Sequence, residues 1–172
     1  VTDNNEVEII TSGGRKLEAL VNDLLAAKHH IHFEYFYFLK DDGSKRIKNL
    51  LMQKAREGVK VRFIHENIAN ITIWPGYYNE MKEAGVEVVK FTNPNAFLLS
   101  KFNYRDHRKI AVIDGRISFT GGVNLADEYI NIGSRFGQWK DVAIRLEGAA
   151  TRSFTLMFLQ MWALDESEMD YH

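Results

Sequence analysis

"HRKIAVIDGRISFTGGVN", residues 107–124, sets two short apolar runs on either side of Asp114-Gly115. An Asp-Gly pair in that setting signals a two-residue type I′ turn, because both central residues need positive φ and these two tolerate it best. On that count Ile113 faces Arg116, Lys109 lies opposite Thr120 and His107 lies opposite Gly122. Side chains alternate across a strand with a period of two. His107, Lys109, Gly122 and, if the strand persists, Asn124 are therefore expected on one side, with Ile110, Val112, Ile117 and Phe119 on the buried other side.

Upstream of the hairpin, helical and strand periods alternate. Leu17, Leu20, Val21, Leu24 and Leu25 recur at helical spacing from Arg15 to Lys28, and Ile31 to Leu39 reads as a strand dense in aromatics. Asp41, Asp42, Gly43 and Ser44 supply a turn and a cap. Ile47, Leu50, Leu51 and Ala55 then predict a helix that Gly58 ends. A strand at Val59 to His65, a helix at Tyr77 to Ala84 capped by Gly85, and a strand at Val86 to Phe91 repeat the unit. After the hairpin come a strand at Val142 to Leu146 and a helix from Ala149 to about Leu164. Such alternation predicts an α/β fold with a mixed, mostly parallel sheet flanked by helices.

The 172 residues, 45% of them hydrophobic, suffice for a single domain with its own core, and residues 1–172 are read as one. With 22 basic and 23 acidic residues the net charge is −1, so anion binding has to come from a local cluster and nucleic acid is not an expected partner. The absence of cysteine removes disulfides and thiolate metal sites from consideration. No run reaches the roughly 18 apolar residues that cross a bilayer. The start at Val1 rather than Met suggests a processed or excised chain.

The polar set of the hairpin has a chemical reading. A neutral imidazole can attack phosphorus, lysine and asparagine can hold non-bridging oxygens, and glycine lets backbone approach phosphate. The plain alternative is an exposed sheet face with a glycine bulge. His107, Lys109, Asp114, Gly121, Gly122 and Asn124 stand as H-x-K-x4-D-x6-G-G-x-N, which resembles the HKD motif of the phospholipase D superfamily. "AAKHHIHFEYFYFLKDDGSKRIKNLLMQKAREGVKVRF", and "YRDHRKIAVIDGRISFTGGVNLADEY" followed by "WKD" and "FLQMW", are similar to the first catalytic half of bacterial cardiolipin synthases.

The resemblance implies a phosphohistidine intermediate, with His107 as nucleophile or as its acid/base counterpart and with Lys109 and Asn124 on the phosphate oxygens. It implies a structural role for Asp114. Trp139-Lys140-Asp141 resembles the family's Trp-Arg-Asp triplet, which would make Asp141 the acid that orients a catalytic imidazole. Lys140 departs from that pattern, as does "FIHENIAN" around Glu66, where relatives place an aspartate and a Gly-Ser-like turn. Arg105, Gly121 and Gly122 are the expected substrate-binding positions. No cofactor and no metal are expected.

In-line displacement needs a nucleophile on one side of phosphorus and an acid on the other, so His107 fills half a centre. The family brings two motifs together in one long chain or by homodimerisation. The expectation is thus a half-domain of a membrane-bound phosphatidyltransferase acting on phosphatidylglycerol, its second half and anchor lying elsewhere. A phosphodiesterase or homodimeric nuclease, and an anion-binding module without turnover, are the alternatives. Elsewhere, His30, His32 and Glu34 share a strand face and suggest either a metal triad or a hydrogen-bonded core element. Lys101, Arg105, Arg108 and Lys109, with Phe97-Leu98-Leu99 nearby, suggest a headgroup-facing cluster or ordinary surface. Phe158 and Trp162 read as core.

Overall fold

Ser12 and Asp41 open the first two helices by accepting the backbone N–H of Arg15 and Ser44. The structure is a computed structural model and describes residues 2–36, 38, 41–66, 76–91, 107–132 and 137–169. Its strands are β1 (Glu6–Ile10), β2 (His30–Tyr35), β3 (Lys60–Glu66), β4 (Glu87–Phe91), β5 (Lys109–Ile113), β6 (Ile117–Gly121) and β7 (Ala143–Glu147). The helices are α1 (Gly13–Ala26), α2 (Asp42–Arg56), α3 (Gly76–Glu83) and α4 (Thr151–Met169), with a short 3-10 turn at Asp127–Ile130.

The seven strands form one sheet in the order β1-β7-β6-β5-β2-β3-β4. The α/β class and the mixed sheet agree with the sequence, but the balance does not. Only β2–β3 and β3–β4 pair in parallel, while β1–β7, β7–β6, β6–β5 and β5–β2 are antiparallel. Helical crossovers of the parallel kind join β2 to β4 alone; the rest of the chain returns through a hairpin and adjacent strands. Strand β1, which the sequence reading passed over, lies at the edge against β7.

Helices α1, α2 and α3 cover one face of the sheet. Leu17, Leu20, Val21 and Leu24 of α1 and Ile47 and Leu51 of α2 pack there with Ile31, Phe33, Phe63, Ala111 and Phe119. On the other face α4 sets Phe158 and Trp162 against Ile64 and Val89, as expected for those two aromatics. His32 stacks on Phe158 at 4.6 Å between ring centroids, and Arg62 lies over the Trp162 ring.

The hairpin differs from the sequence count by one residue. Asp114 and Gly115 do take positive φ, 52° and 64°, and Arg116 N–H donates to the Ile113 carbonyl. Ile113 nevertheless pairs with Ile117, so Arg116 is left out of the ladder. Its carbonyl is used elsewhere, accepting from Gly148 N–H at 2.9 Å and from the Thr151 hydroxyl at 3.1 Å. A one-residue slip moves a strand's side chains to the other face. Ile117 and Phe119 therefore share the α1–α2 face with Lys109, Ala111 and Ile113, while Ile110 and Val112 share the α4 face with Ser118 and Thr120. Lys109 is thus a buried residue at the end of the core face, 3% exposed, rather than part of a solvent face.

Candidate active site

The end of that core face carries the motif. His107 precedes β5 and is exposed, so a bound molecule can reach its ring. Lys109 Nζ donates to the His107 carbonyl at 2.6 Å and lies 3.1 Å from Nδ1 and 3.4 Å from Nε2 of the same residue. A neutral imidazole carries one N–H and one lone pair, and a lone pair not engaged by a donor is what attack on phosphorus requires. Phe36, buried at the end of β2, forms an apolar shelf under the pair: its ring centroid is 4.5 Å from that of His107 and 5.3 Å from Lys109 Nζ. Reading Ile31 to Leu39 only as a strand dense in aromatics missed this position, and its place just past the end of β2 was the available signal.

Asp114 is not at the reacting end. Its carboxylate accepts the N–H groups of Lys28, His29 and His30 at 2.8–2.9 Å and so ties the hairpin turn to the start of β2. Burial alone would raise this carboxyl, but the three backbone donors outweigh it and hold the group below its ordinary value.

Gly121 and Gly122 have an occupant beside each of them. A Cβ on Gly121, whose φ is 142°, would run into the Val142 carbonyl and the Ala143 Cα, and one on Gly122 would run into the Asp141 carboxylate. The pair thus lets β7 and Asp141 approach the hairpin, a use separate from the expected approach of phosphate. Asp141 accepts from Val142 N–H at 2.7 Å and from the Trp139 indole at 3.3 Å. Asn131, with φ of 62°, clamps Trp139 through two hydrogen bonds, accepting its N–H at 2.7 Å and donating to its carbonyl at 3.2 Å. A cleft of about 430 Å³ opens between this segment and the α1 N-terminus, with Asp141, Trp139 and Lys140 on one wall and Thr11 and Ser12 on the other.

Asn124 is 3% exposed and sits between two restrained carbonyls. The Val123 carbonyl accepts from Lys16 Nζ of α1 at 2.7 Å, and the Leu125 carbonyl accepts from the Ser44 hydroxyl of α2. Sequence reasoning missed Lys16. The signal was its position four residues before Leu20, on the apolar stripe of the helix.

Arg105, Lys101 and Phe97 to Leu99 lie outside the described residues. Arg108, expected in the same cluster, pairs with the buried Glu34 at 3.0 Å. His30 and His32 lie close, 4.8 Å between rings, but the partners named above engage His32 and Glu34 within the core, and the described residues contain no metal-holding group of three. Among the described residues no helix is long and apolar enough to cross a membrane.

Comparison with known proteins identifies the family. Residues 20–162 match the family described as "Cardiolipin synthase, PLD-like domain". The chain is 39% identical over 166 residues to a cardiolipin synthase of Alkalihalophilus pseudofirmus, covering 96% of this chain and 33% of that one. It is 37% identical over 162 residues to the major cardiolipin synthase ClsA of Bacillus subtilis, covering 94% and 34%. The chain therefore spans about a third of the length of these curated relatives. In three dimensions it is similar to Nuc, a phospholipase D family member from Salmonella typhimurium, with a TM-score of 0.70 at 16% identity over 93% of this chain and 95% of that one. It is also similar to the phosphatidylserine synthase of Haemophilus influenzae, with a TM-score of 0.67 at 14% identity over 87% and 35%. With the motif assembled on this fold and the match spanning most of its length, the chain belongs to the phospholipase D-like domain family of cardiolipin synthases.

Proposed function

We propose that this chain is one catalytic half of a cardiolipin synthase-like phosphatidyltransferase. The observation that carries the reading is the exposed His107 ring held against the buried Lys109 ammonium at the end of the sheet, in a chain that aligns over nearly its whole length with cardiolipin synthases. His107 forms a P–N bond to the phosphorus of a first phosphatidylglycerol as the P–O bond to its glycerol breaks. The departing glycerol oxygen takes a proton from an acid on the far side. A hydroxyl of a second phosphatidylglycerol then attacks the phosphatidyl-histidine, gives its proton to the same group, and leaves as diphosphatidylglycerol. If His107 is instead the acid, the same steps run with the roles exchanged.

Lys109 and Asn124 hold the non-bridging oxygens, where negative charge builds in the transition state. Asp141 orients a catalytic imidazole, and Arg105 binds the anionic headgroup. The opposing histidine comes from a second motif, in the same full-length chain or in a homodimer partner, and the intact protein works at the cell membrane.

A second reading rests on size. This chain covers 97% of the solved chain of NucT from Helicobacter pylori at a TM-score of 0.66 and 15% identity, and a homodimeric phosphodiesterase is the corresponding alternative. Product analysis with labelled phosphatidylglycerol separates the two. The intact protein is expected to yield diphosphatidylglycerol and free glycerol, whereas phosphatidic acid as the sole lipid product would overturn the synthase reading.

A further inference from the structure

The turn that opens α2 reaches across to the motif. Asn124, the last residue of the motif, comes after β6 has ended at Gly121, so the sheet ladder does not hold it. Side chains from two helices hold its neighbours instead. On one side Lys16 of α1 donates to the Val123 carbonyl at 2.7 Å. On the other side the buried Ser44 hydroxyl of α2 donates to the Leu125 carbonyl, and Leu125 bridges Phe38 beyond the end of β2.

The residues around Ser44 lock the same turn in place. Asp41 uses both carboxylate oxygens: Oδ1 accepts Ser44 N–H at 2.9 Å and so caps α2, while Oδ2 accepts Asp127 N–H at 2.8 Å. Asp127 Oδ1 in turn accepts Gly43 N–H at 2.9 Å. Three hydrogen bonds, running in both directions, thus tie the start of α2 to residues 125–127. Gly43 permits the approach, since a Cβ there would come within 3.2 Å of the Asp127 carboxylate. Helix capping accounts for Asp41 and Asp127, each of which takes a free N–H of the first turn, but not for the Ser44 hydroxyl. That hydroxyl serves the far end of its bond, one residue beyond Asn124.

Building on the reading that Asn124 holds a non-bridging phosphate oxygen, we infer that Ser44 is a positioning residue for that amide: through the Leu125 carbonyl, and with Asp41 and Asp127 securing the turn, it fixes the backbone from which Asn124 reaches the phosphate. A group that stabilises a transition state has to be held to within about 0.5 Å of its productive place. Loss of the hydroxyl leaves the Leu125 carbonyl without this donor and lets the segment shift, so the effect falls on turnover more than on substrate binding.

The test is a double-mutant cycle in the intact protein, with turnover read as consumption of phosphatidylglycerol labelled at phosphorus and folding read from thermal midpoints. Ser44→Ala should lower kcat about tenfold while KM stays within about threefold of wild type. Asn124→Ala should lower kcat further, and adding Ser44→Ala to it should change kcat by less than about twofold, because the amide that Ser44 positions is already gone. Asp127→Ala opens the same clamp from its other side and should show the same coupling to Asn124→Ala, which keeps the inference testable if Ser44→Ala does not fold. Leu51→Ala, two turns further along the buried face of α2, is the stability control: its thermal midpoint should fall while kcat per folded molecule stays within about threefold of wild type. Wild-type kcat in folded Ser44→Ala, independent losses in the double variant, or an equal loss of kcat in Leu51→Ala would each overturn the inference. An unimpaired Asn124→Ala would instead overturn the reading on which it rests. If the coupling holds but phosphatidic acid is the sole lipid product, the assigned transfer fails while the role of Ser44 stands.

Discussion

The carboxylate of Asp141 fills the space where a side chain at position 122 would be, and this contact separates the roles of the two adjacent glycines. In Gly122→Ala the new methyl group meets the Asp141 carboxylate, a side chain that can turn aside. The thermal midpoint should move little, while kcat falls about tenfold or more as Asp141 is displaced. In Gly121→Ala the collision is with the β7 backbone, and φ of 142° is a region that alanine avoids. That variant should lose about 3 kcal/mol of stability in denaturant unfolding. The glycine pair was legible in the sequence as a place of close approach. What approaches is not, because Asp141 and Val142 lie some twenty residues downstream and only the β6–β7 register brings them there. Lys16 was obscured for a related reason: a cation on an apolar stripe acquires meaning only once its neighbours are known.

The hairpin is the element on which the site depends, and its stability rests on Asp114. Replacing Asp114 with Ala removes the acceptor of three backbone N–H groups and should cost about 3 kcal/mol, with turnover per folded molecule largely kept. The Asp114 carboxyl is held below its ordinary value of 3.8, so its contribution is complete above that pH and is lost only as pH falls through the lower, folded value. His32, between β2 and α4, acts higher on the scale. Burial, aided by His30, Arg62 and Lys60, lowers its imidazole from 6.5 to about 4. Between those values the unfolded chain binds the proton and the folded chain does not, so stability should drop as pH falls from about 6.5 to about 4. His32→Phe keeps the stack on Phe158 and should flatten that decline in a series of thermal midpoints. The Asp-Gly turn and its positive φ values were readable from two residues. The register was not, since Arg116 is drawn out of the ladder by Gly148 and Thr151, which no local count includes.

At the scale of the whole molecule, capped helices and apolar strands were enough to announce an α/β fold, since helix caps and hydrophobic periods are local properties. The division of the sheet into a parallel part and an antiparallel part was hidden. Val59 to His65 and Val142 to Leu146 look alike as apolar strands, yet one extends a crossover and the other returns beside a hairpin. The architecture places a single motif at one end of the sheet, and in-line chemistry needs an opposing group. Residues 1–172 alone should therefore turn over phosphatidylglycerol far more slowly than the intact protein, or not at all. The most direct test of this account is acid-quench trapping on the intact protein with phosphatidylglycerol labelled at phosphorus. Wild type should carry an acid-labile label on histidine during turnover, and His107→Ala should lose diphosphatidylglycerol formation by more than about a thousandfold while remaining folded. The label then disappears if His107 is the nucleophile, or persists on the opposing histidine if His107 is the acid. Undiminished diphosphatidylglycerol formation by His107→Ala would contradict the account.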